Sequence, residues 1–394
     1  MKVLFWLFIG LDRQETSEHL LVSVIEQLCK SGHEVHILQK NTGGDLPSIP
    51  EALSGYPVTT TEIPFEKASK GNFIARYYKE LRYISNCKKC FNQQYDSVFI
   101  QSNTVAGIAV KAVSKKLPNA RITFNVQDIF PYNLMYCGRI KRNSLLFKLL
   151  AKEQRYAYTR ADCVITISED MKDTLVNDGV NEDKISVIYN WSYQDEPYVN
   201  VDTSPVSNMF NKDFFNVVYA GNIGMMQNVD ILIEAAKLMK EDKSVWFHII
   251  GNGVYKDKLE AKARDYGISN ISFWPMQKSE LAPAIYCAAD VNVIPLVKNI
   301  YRTALPSKTA TCLACGKPII FAVGKDSKFC SFVENETGCI LINSDDSDNL
   351  KNSIQNIKSI GLNTSSESFY TKYCSMTTNS ELYASCITRK DGSL

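Results

Sequence analysis

The run Thr303-Ala-Leu-Pro-Ser-Lys308-Thr-Ala-Thr311-Cys-Leu-Ala-Cys-Gly316-Lys-Pro318 leads directly into the apolar stretch Ile319-Ile-Phe-Ala-Val323. Proline just inside the start and glycine just past the end delimit a helix of about two to three turns, and the apolar stretch reads as the strand that follows. Such a helix turns its positive end, with Lys308 in the first turn, toward any anion above the sheet, which makes it a candidate diphosphate seat. An ordinary helix packed on a sheet, with Lys308 in solvent, accounts for the same residues.

Working outward, the second half alternates apolar runs with amphipathic ones. Strands are expected at Asn216 to Tyr219, Val245 to Ile250, Asn270 to Trp274, Val291 to Ile294, Pro318 to Val323 and Cys339 to Ile342, with helices between. Near-continuous apolar strands separated by helices indicate a parallel sheet covered on both faces. The first half repeats the pattern. Val3 to Ile9, the helix Ser17 to Lys30 and the strand His33 to Leu38 form one βαβ unit, and further strands are expected at Ser97 to Gln101, Arg121 to Val126, Cys163 to Ser168 and Ile185 to Tyr189. From Trp191 to Asp213 prolines and turn formers break any period. The expected plan is α/β: two doubly wound domains facing across a cleft, over 1–192 and 214–370. Residues 193–213 link them, and 371–394 form a terminal segment that can return to the first domain. In such sheets ligands bind at the carboxyl ends of strands, so the loops after Gly10, Gln127, Gly221, Gly251 and Pro295 are where chemistry is sought.

A chain of 394 residues that is 45% hydrophobic and 22% charged, with net charge +2, has the composition of a soluble globular protein and implies no nucleic-acid partner. Its 12 cysteines are scattered through apparent core elements and read as buried reduced thiols of a cytoplasmic protein. The apolar stretch Met1 to Gly10 is too short to span a membrane and lacks a small-residue cleavage site, so it reads as a buried first strand.

Several motifs bear on chemistry. Gly221-Asn222-Ile-Gly224 with Gln227 follows a strand and precedes a helix, which lets a ligand approach backbone N–H groups, or simply makes a tight turn. In Gly251-Asn-Gly253-Val-Tyr-Lys256 a lysine stands where a dinucleotide fingerprint needs its third glycine, which argues against NAD. Asp128, in Gln127-Asp128-Ile-Phe-Pro131, ends a strand at the rim of the first sheet. It is placed to orient an acceptor hydroxyl or to form a turn before proline. Asp345-Asp346-Ser347-Asp348 contains a DxD but precedes an expected helix, where it reads as a cap rather than a metal site. Arg139 to Arg155 interleaves six basic residues with Leu145, Leu146, Phe147, Leu149 and Leu150. That pattern suits peripheral contact with an anionic membrane, or a solvated helix whose leucines are core.

Taken in order, these pieces resemble glycosyltransferase family 4, the retaining nucleotide-sugar transferases of GT-B architecture, and in particular its bacterial O-antigen and capsule polysaccharide branch. The resemblance rests on Gly32-His33-Glu34-Val35, Asp128-Ile-Phe-Pro131, Ala161-Asp162, Ile167-Ser168, Lys184-Ile185, Asn190-Trp191, Gly221-Asn-Ile-Gly224, Gly251-Asn-Gly253, Ala288-Ala-Asp290, Pro306-Ser307-Lys308 and Leu313-Ala-Cys-Gly316-Lys-Pro318. It implies transfer of a sugar from a nucleoside diphosphate donor, UDP above others, to a lipid-linked saccharide at the inner face of the bacterial cytoplasmic membrane. No cofactor and no metal are implied.

Lys308 and Arg302 would then stabilise the leaving diphosphate and Asp128 would orient the acceptor. Gly10, Gly221, Asn222, Gln227, Gly251, Met276, Gln277, Thr303, Pro306, Ser307 and Thr311 would line the donor. The family's two glutamates, eight positions apart, fall on Thr303 and Thr311, and its Arg and Lys after the first strand of the second domain fall on Asn222 and Gln227. A hydroxyl can make a hydrogen bond but offers no carboxylate. These departures keep open a degenerate, non-catalytic nucleotide-sugar-binding protein. A nucleotide-sugar 2-epimerase on the same plan would need a catalytic carboxylate and histidine set, and the four histidines suggest none. A noncatalytic two-domain sugar-binding protein would call for an export signal.

Overall fold

Strands rich in Val, Ile, Leu and Phe form the centre of each half of the chain, because such strands must be covered on both faces. The structure is a computed structural model and describes residues 1–11, 18–41, 43, 49–66, 73–91 and 93–389. Ser17, expected to open the first helix, lies outside them. The chain divides into two compact units, residues 1–190 with 376–394, and residues 191–375.

The first unit holds β1 (Lys2–Trp6), β2 (Glu34–Asn41), β3 (Val58–Pro64), β4 (Ser97–Gln101), β5 (Arg121–Val126), β6 (Cys163–Thr166) and β7 (Ile185–Val187). Every neighbouring pair is parallel and the order is β3-β2-β1-β4-β5-β6-β7. Val3 to Trp6 are buried on both faces of the sheet. The helix Glu18–Lys30 packs Leu20, Leu21, Val24, Ile25 and Leu28 inward, and Gly32, at φ +80°, takes the left-handed turn after it.

The second unit holds β8 (Phe215–Ala220), β9 (Val245–Ile250), β10 (Ile271–Trp274), β11 (Val291–Pro295), β12 (Ile319–Ala322) and β13 (Ile340–Ile342), ordered β10-β9-β8-β11-β12-β13 and again parallel. Val217, Phe247, Ile249, Val293 and Ile320 form one core with Ile231, Leu232, Ile233 and Leu350 from the covering helices. In each sheet the strand order reverses beside the first strand, between β1 and β4 and between β8 and β11. Ligands of doubly wound sheets gather at such switch points. They place the loop after β1, with Gly10, and the loop after β8, with Gly221, at the candidate sites.

Two details differ from the sequence reading. Residues 193–213, expected as a linker, lie within the second unit and bury Val206 and Met209 there. The terminal segment splits: the helix Ser366–Tyr373 stays with the second unit, while the helix Met376–Thr388 packs on Glu18–Lys30 in the first. All 12 cysteines are free thiols. Among the described residues no helix is long and apolar enough to cross a membrane.

Candidate functional site

Three glycine positions shape the loops at the carboxyl ends of β8 and β9. Gly251 sits at φ +154°, and a β-carbon there would stand 1.9 Å from the Gly221 carbonyl oxygen. A β-carbon on Gly253 would stand 2.1 Å from the Ile223 carbonyl oxygen. The two loops therefore pack backbone on backbone, joined by Gly221 N–H to Ile250 O at 2.9 Å and Ile223 N–H to Asn252 O at 2.9 Å. Gly221 itself, at φ +140°, leaves room for a side chain: its β-carbon would lie 2.9 Å from Lys308 Nζ.

Lys308 opens the helix Lys308–Ala314, with Ser307 as N-cap, Pro306 one residue outside it and Gly316 at φ +67° just beyond its end. Lys308 is half-buried, but its Nζ is shut off from solvent and has no hydrogen-bond partner among the described residues. Nζ lies 3.6 Å from the centre of the Tyr219 ring, whose face attracts a cation. The Tyr219 hydroxyl donates to the Asn222 carbonyl, which fixes the ring. Burial without a carboxylate partner pushes the Lys308 pKa down to about 7, with the neighbouring Cys312 a smaller, opposing influence. An enclosed amine at a sheet switch point, unpaired among the described residues and held near its titration point, is suited to take up charge as an anion arrives.

The expected donor residues of the second unit take varied positions. Gln227 Oε1 accepts from Gly224 N–H at 3.2 Å and from Asn222 Nδ2 at 3.5 Å, so the two residues standing where the family has cations brace each other. Arg302 is bound by Asp326 at 2.9 Å and by the Tyr301 hydroxyl at 3.1 Å, which neutralises much of its charge. Thr303 is fully buried and donates to Ile300 O at 3.0 Å. Thr311 is buried too, its hydroxyl 2.9 Å from Ser192 Oγ, which also meets the Tyr198 hydroxyl at 2.9 Å. Both threonine hydroxyls are thus engaged inside the second unit, where the sequence reading had them facing a donor. Met276 is exposed, and Gln277 Nε2 donates to Pro275 O at 3.0 Å. Lys256, next to the second glycine loop, is used structurally: its Nζ donates to the carbonyls of Gly251 and Trp274 at 3.1 and 3.0 Å. Asp346 caps the helix Ser347–Ile360 by accepting from Asn349 N–H at 3.0 Å.

In the first unit, Gly10 is buried in the loop after β1. Asp128 follows β5, its side chain exposed while Ile129 and Phe130 beside it are buried. Desolvation by the surrounding protein raises the Asp128 carboxyl pKa above the ordinary carboxylate value. The basic segment forms the helix Leu145–Arg160, started by Ser144, which accepts from Phe147 N–H at 3.2 Å. Phe147, Leu150, Ala151, Ala157 and Tyr158 face the core. Leu145, Leu146 and Leu149 do not; they are 72%, 52% and 56% exposed, beside exposed Lys141, Arg142, Lys148 and Lys152.

Residues 17–191 match the family described as Glycosyltransferase Family 4, and residues 215–359 match Glycosyl transferases group 1. The two matches together span most of the chain, which belongs to these glycosyltransferases and has their GT-B plan of two Rossmann-like units. Among curated proteins it is 27% identical over 226 residues to the probable glycosyltransferase WbjE of Pseudomonas aeruginosa, an alignment covering 54% of this chain and 53% of that one. It is also 27% identical over 209 residues to the putative colanic acid biosynthesis glycosyl transferase WcaI of Escherichia coli K12, covering 51% of each. The chain thus spans about half the length of the curated relatives it matches. Its fold is shared with Anabaena Alr3699/HepE in complex with UDP and glucose, at TM-score 0.72 and 14% identity over 99% of this chain and 100% of that one. It is shared likewise with WaaG, a glycosyltransferase involved in lipopolysaccharide biosynthesis, at TM-score 0.71 and 13% identity over 98% of this chain and 100% of that one.

Proposed function

We propose that this chain transfers a sugar, an amino or deoxy hexose, from a UDP donor to a lipid-linked glycan in surface polysaccharide biosynthesis, with retention at the anomeric carbon. The observation that carries the reading is the enclosed, unpartnered Lys308 ammonium against Gly221. The UDP bound by HepE and the polysaccharide role in the name of WcaI support it by likeness. In the proposed step the bond from the anomeric carbon to the β-phosphate oxygen breaks as the acceptor oxygen bonds to the same face. The acceptor proton passes to the departing phosphate, and Asp128 orients the acceptor hydroxyl. Negative charge grows on the β-phosphate as that bond breaks, so a preorganised cation stabilises the transition state more than the ground state.

Thermal unfolding with a panel of nucleotide sugars tests the reading. UDP and at least one UDP-sugar are expected to stabilise the protein, by about 2.7 kcal/mol at a hundredfold excess over Kd, with sugar transferred once a lipid-linked acceptor is added. Absence of any response to uridine nucleotides would reject it. Binding without turnover would favour the degenerate reading, and an epimerised sugar formed without acceptor would favour the epimerase.

Peripheral membrane contact belongs to the same proposal. Three exposed leucines framed by four cations suit the boundary between headgroups and acyl chains, each nearby cation adding about 1 kcal/mol on an anionic surface. Replacing Leu145, Leu146 and Leu149 together by Ser is expected to weaken flotation with phosphatidylglycerol vesicles at least tenfold, with the fold intact because none of the three is core. Unchanged vesicle binding would remove this part of the proposal.

A further inference from the structure

The C-terminal helix Met376–Thr388 is held on the first sheet by polar hooks along its length. Asn379 Nδ2 donates to Tyr189 O at 2.9 Å, near the carboxyl end of the strands, and Ser97 Oγ donates to Ile387 O at 2.8 Å, near the amino end. Between them Tyr383, only 3% exposed, joins a set of side-chain amides. Its hydroxyl donates to Asn125 Oδ1 at 3.2 Å and accepts from Gln127 Nε2 at 3.2 Å. Gln127 Nε2 also donates to Asn125 Oδ1 at 3.3 Å, and Gln127 Oε1 accepts from Asn190 Nδ2 at 2.9 Å. The Gln127 backbone N–H donates to Ser102 Oγ at 3.3 Å. Leu20, Leu21 and Val24 border the same network. Away from water each of these hydrogen bonds gains strength, and breaking one leaves buried groups unsatisfied.

Gln127 is the residue immediately before Asp128. Its side chain is tied at both ends and its backbone at a third point, while Ile129 on the other side is fully buried. The exposed Asp128 carboxylate therefore projects from a backbone locked on both flanks, and one lock is a tyrosine from the far end of the chain. We propose that Tyr383 is a positioning residue for transfer: through Gln127 it holds the Asp128 carboxylate where it can orient the acceptor. The kinetic part rests on the acceptor role given to Asp128 above; the mechanical part does not.

The experiment uses the full chain and two variants that cut the same contact from opposite sides, Tyr383→Phe and Gln127→Met, each measured with and without Asp128→Asn. Amide exchange of the peptide spanning residues 127–129 is expected to quicken at least tenfold in either single variant. Turnover with acceptor should fall about tenfold while UDP affinity stays within twofold of wild type. In the Asp128→Asn background the second change should alter turnover less than twofold, because the two residues act in series. A structural role alone would multiply the losses instead. Unchanged exchange at 127–129, or independent multiplying effects, would overturn the proposal. If the wild-type chain transfers no sugar, the functional reading fails, and the exchange rates still decide whether Tyr383 holds this loop.

Discussion

Lys308→Ala is expected to lower sugar transfer by two to three orders of magnitude. The estimate follows from the loss of one preorganised group at a developing negative charge, roughly 3 to 4 kcal/mol of barrier. Nearby cations offer little replacement: Arg302 is engaged by Asp326, and Lys256 by two strand-end carbonyls. The loss should not come from unfolding. The Lys308 pKa, about 7, lies below that of an unfolded lysine, near 10.4. The unfolded chain thus holds this proton more tightly, so the group's contribution to stability rises with pH from about 7 to about 10.4. Below that window a buried, unpaired ammonium destabilises the unliganded protein, and removing it should leave stability equal or greater. Activity lost with stability kept is the expected signature, measured by turnover and urea unfolding on the same sample. Wild-type turnover would contradict the assignment.

Gly251→Ala is expected to damage both stability and activity. The new β-carbon would meet a backbone oxygen at 1.9 Å, and backbone cannot swing aside as a side chain can. At φ +154° an alanine is strained as well. The combined cost should reach about 3 kcal/mol or more in urea unfolding, from overpacking and backbone strain together. Relief would push the Gly221 loop away from Lys308, so surviving protein should also transfer poorly. Gly267, at φ +62° with open space around it, is the control, and alanine there should cost only about 1 kcal/mol. Equal costs at the two positions would show that the close approach of the glycine loops is not what the second unit depends on.

Much of this architecture was legible because buried parallel strands are largely apolar, as Ile319 to Ala322 and, but for His248, Val245 to Ile250 are. The edge strand β3 was not foreseen: Val58-Thr-Thr-Thr-Glu-Ile-Pro64 is mostly polar, and only Ile63 is buried. The helix behind Lys308 announced itself through Pro306 and Gly316, although proline falls just outside the first turn. What periodicity could not give was partnership across long sequence distances. The seat of Lys308 on Tyr219, the pairing of Arg302 with Asp326 and the diversion of Thr311 to Ser192 depend on tertiary packing. The basic helix carried leucines on two faces, and only the fold distinguishes Leu150, which is core, from Leu149, which is exposed. Tyr383 carried no local signal, since its partners lie more than 250 residues earlier.

Calorimetric titration of UDP and of uridine into the wild-type chain and Lys308→Met, at pH 8 in buffers of different ionisation enthalpy, tests the diphosphate seat most directly. A lysine with pKa about 7 is mostly neutral at pH 8, so wild type should take up close to one proton as UDP restores its charge. Lys308→Met should bind UDP at least thirtyfold more weakly and without that uptake, while uridine binds both proteins alike. Equal UDP affinity in the two proteins, with no difference in proton uptake, would contradict the account.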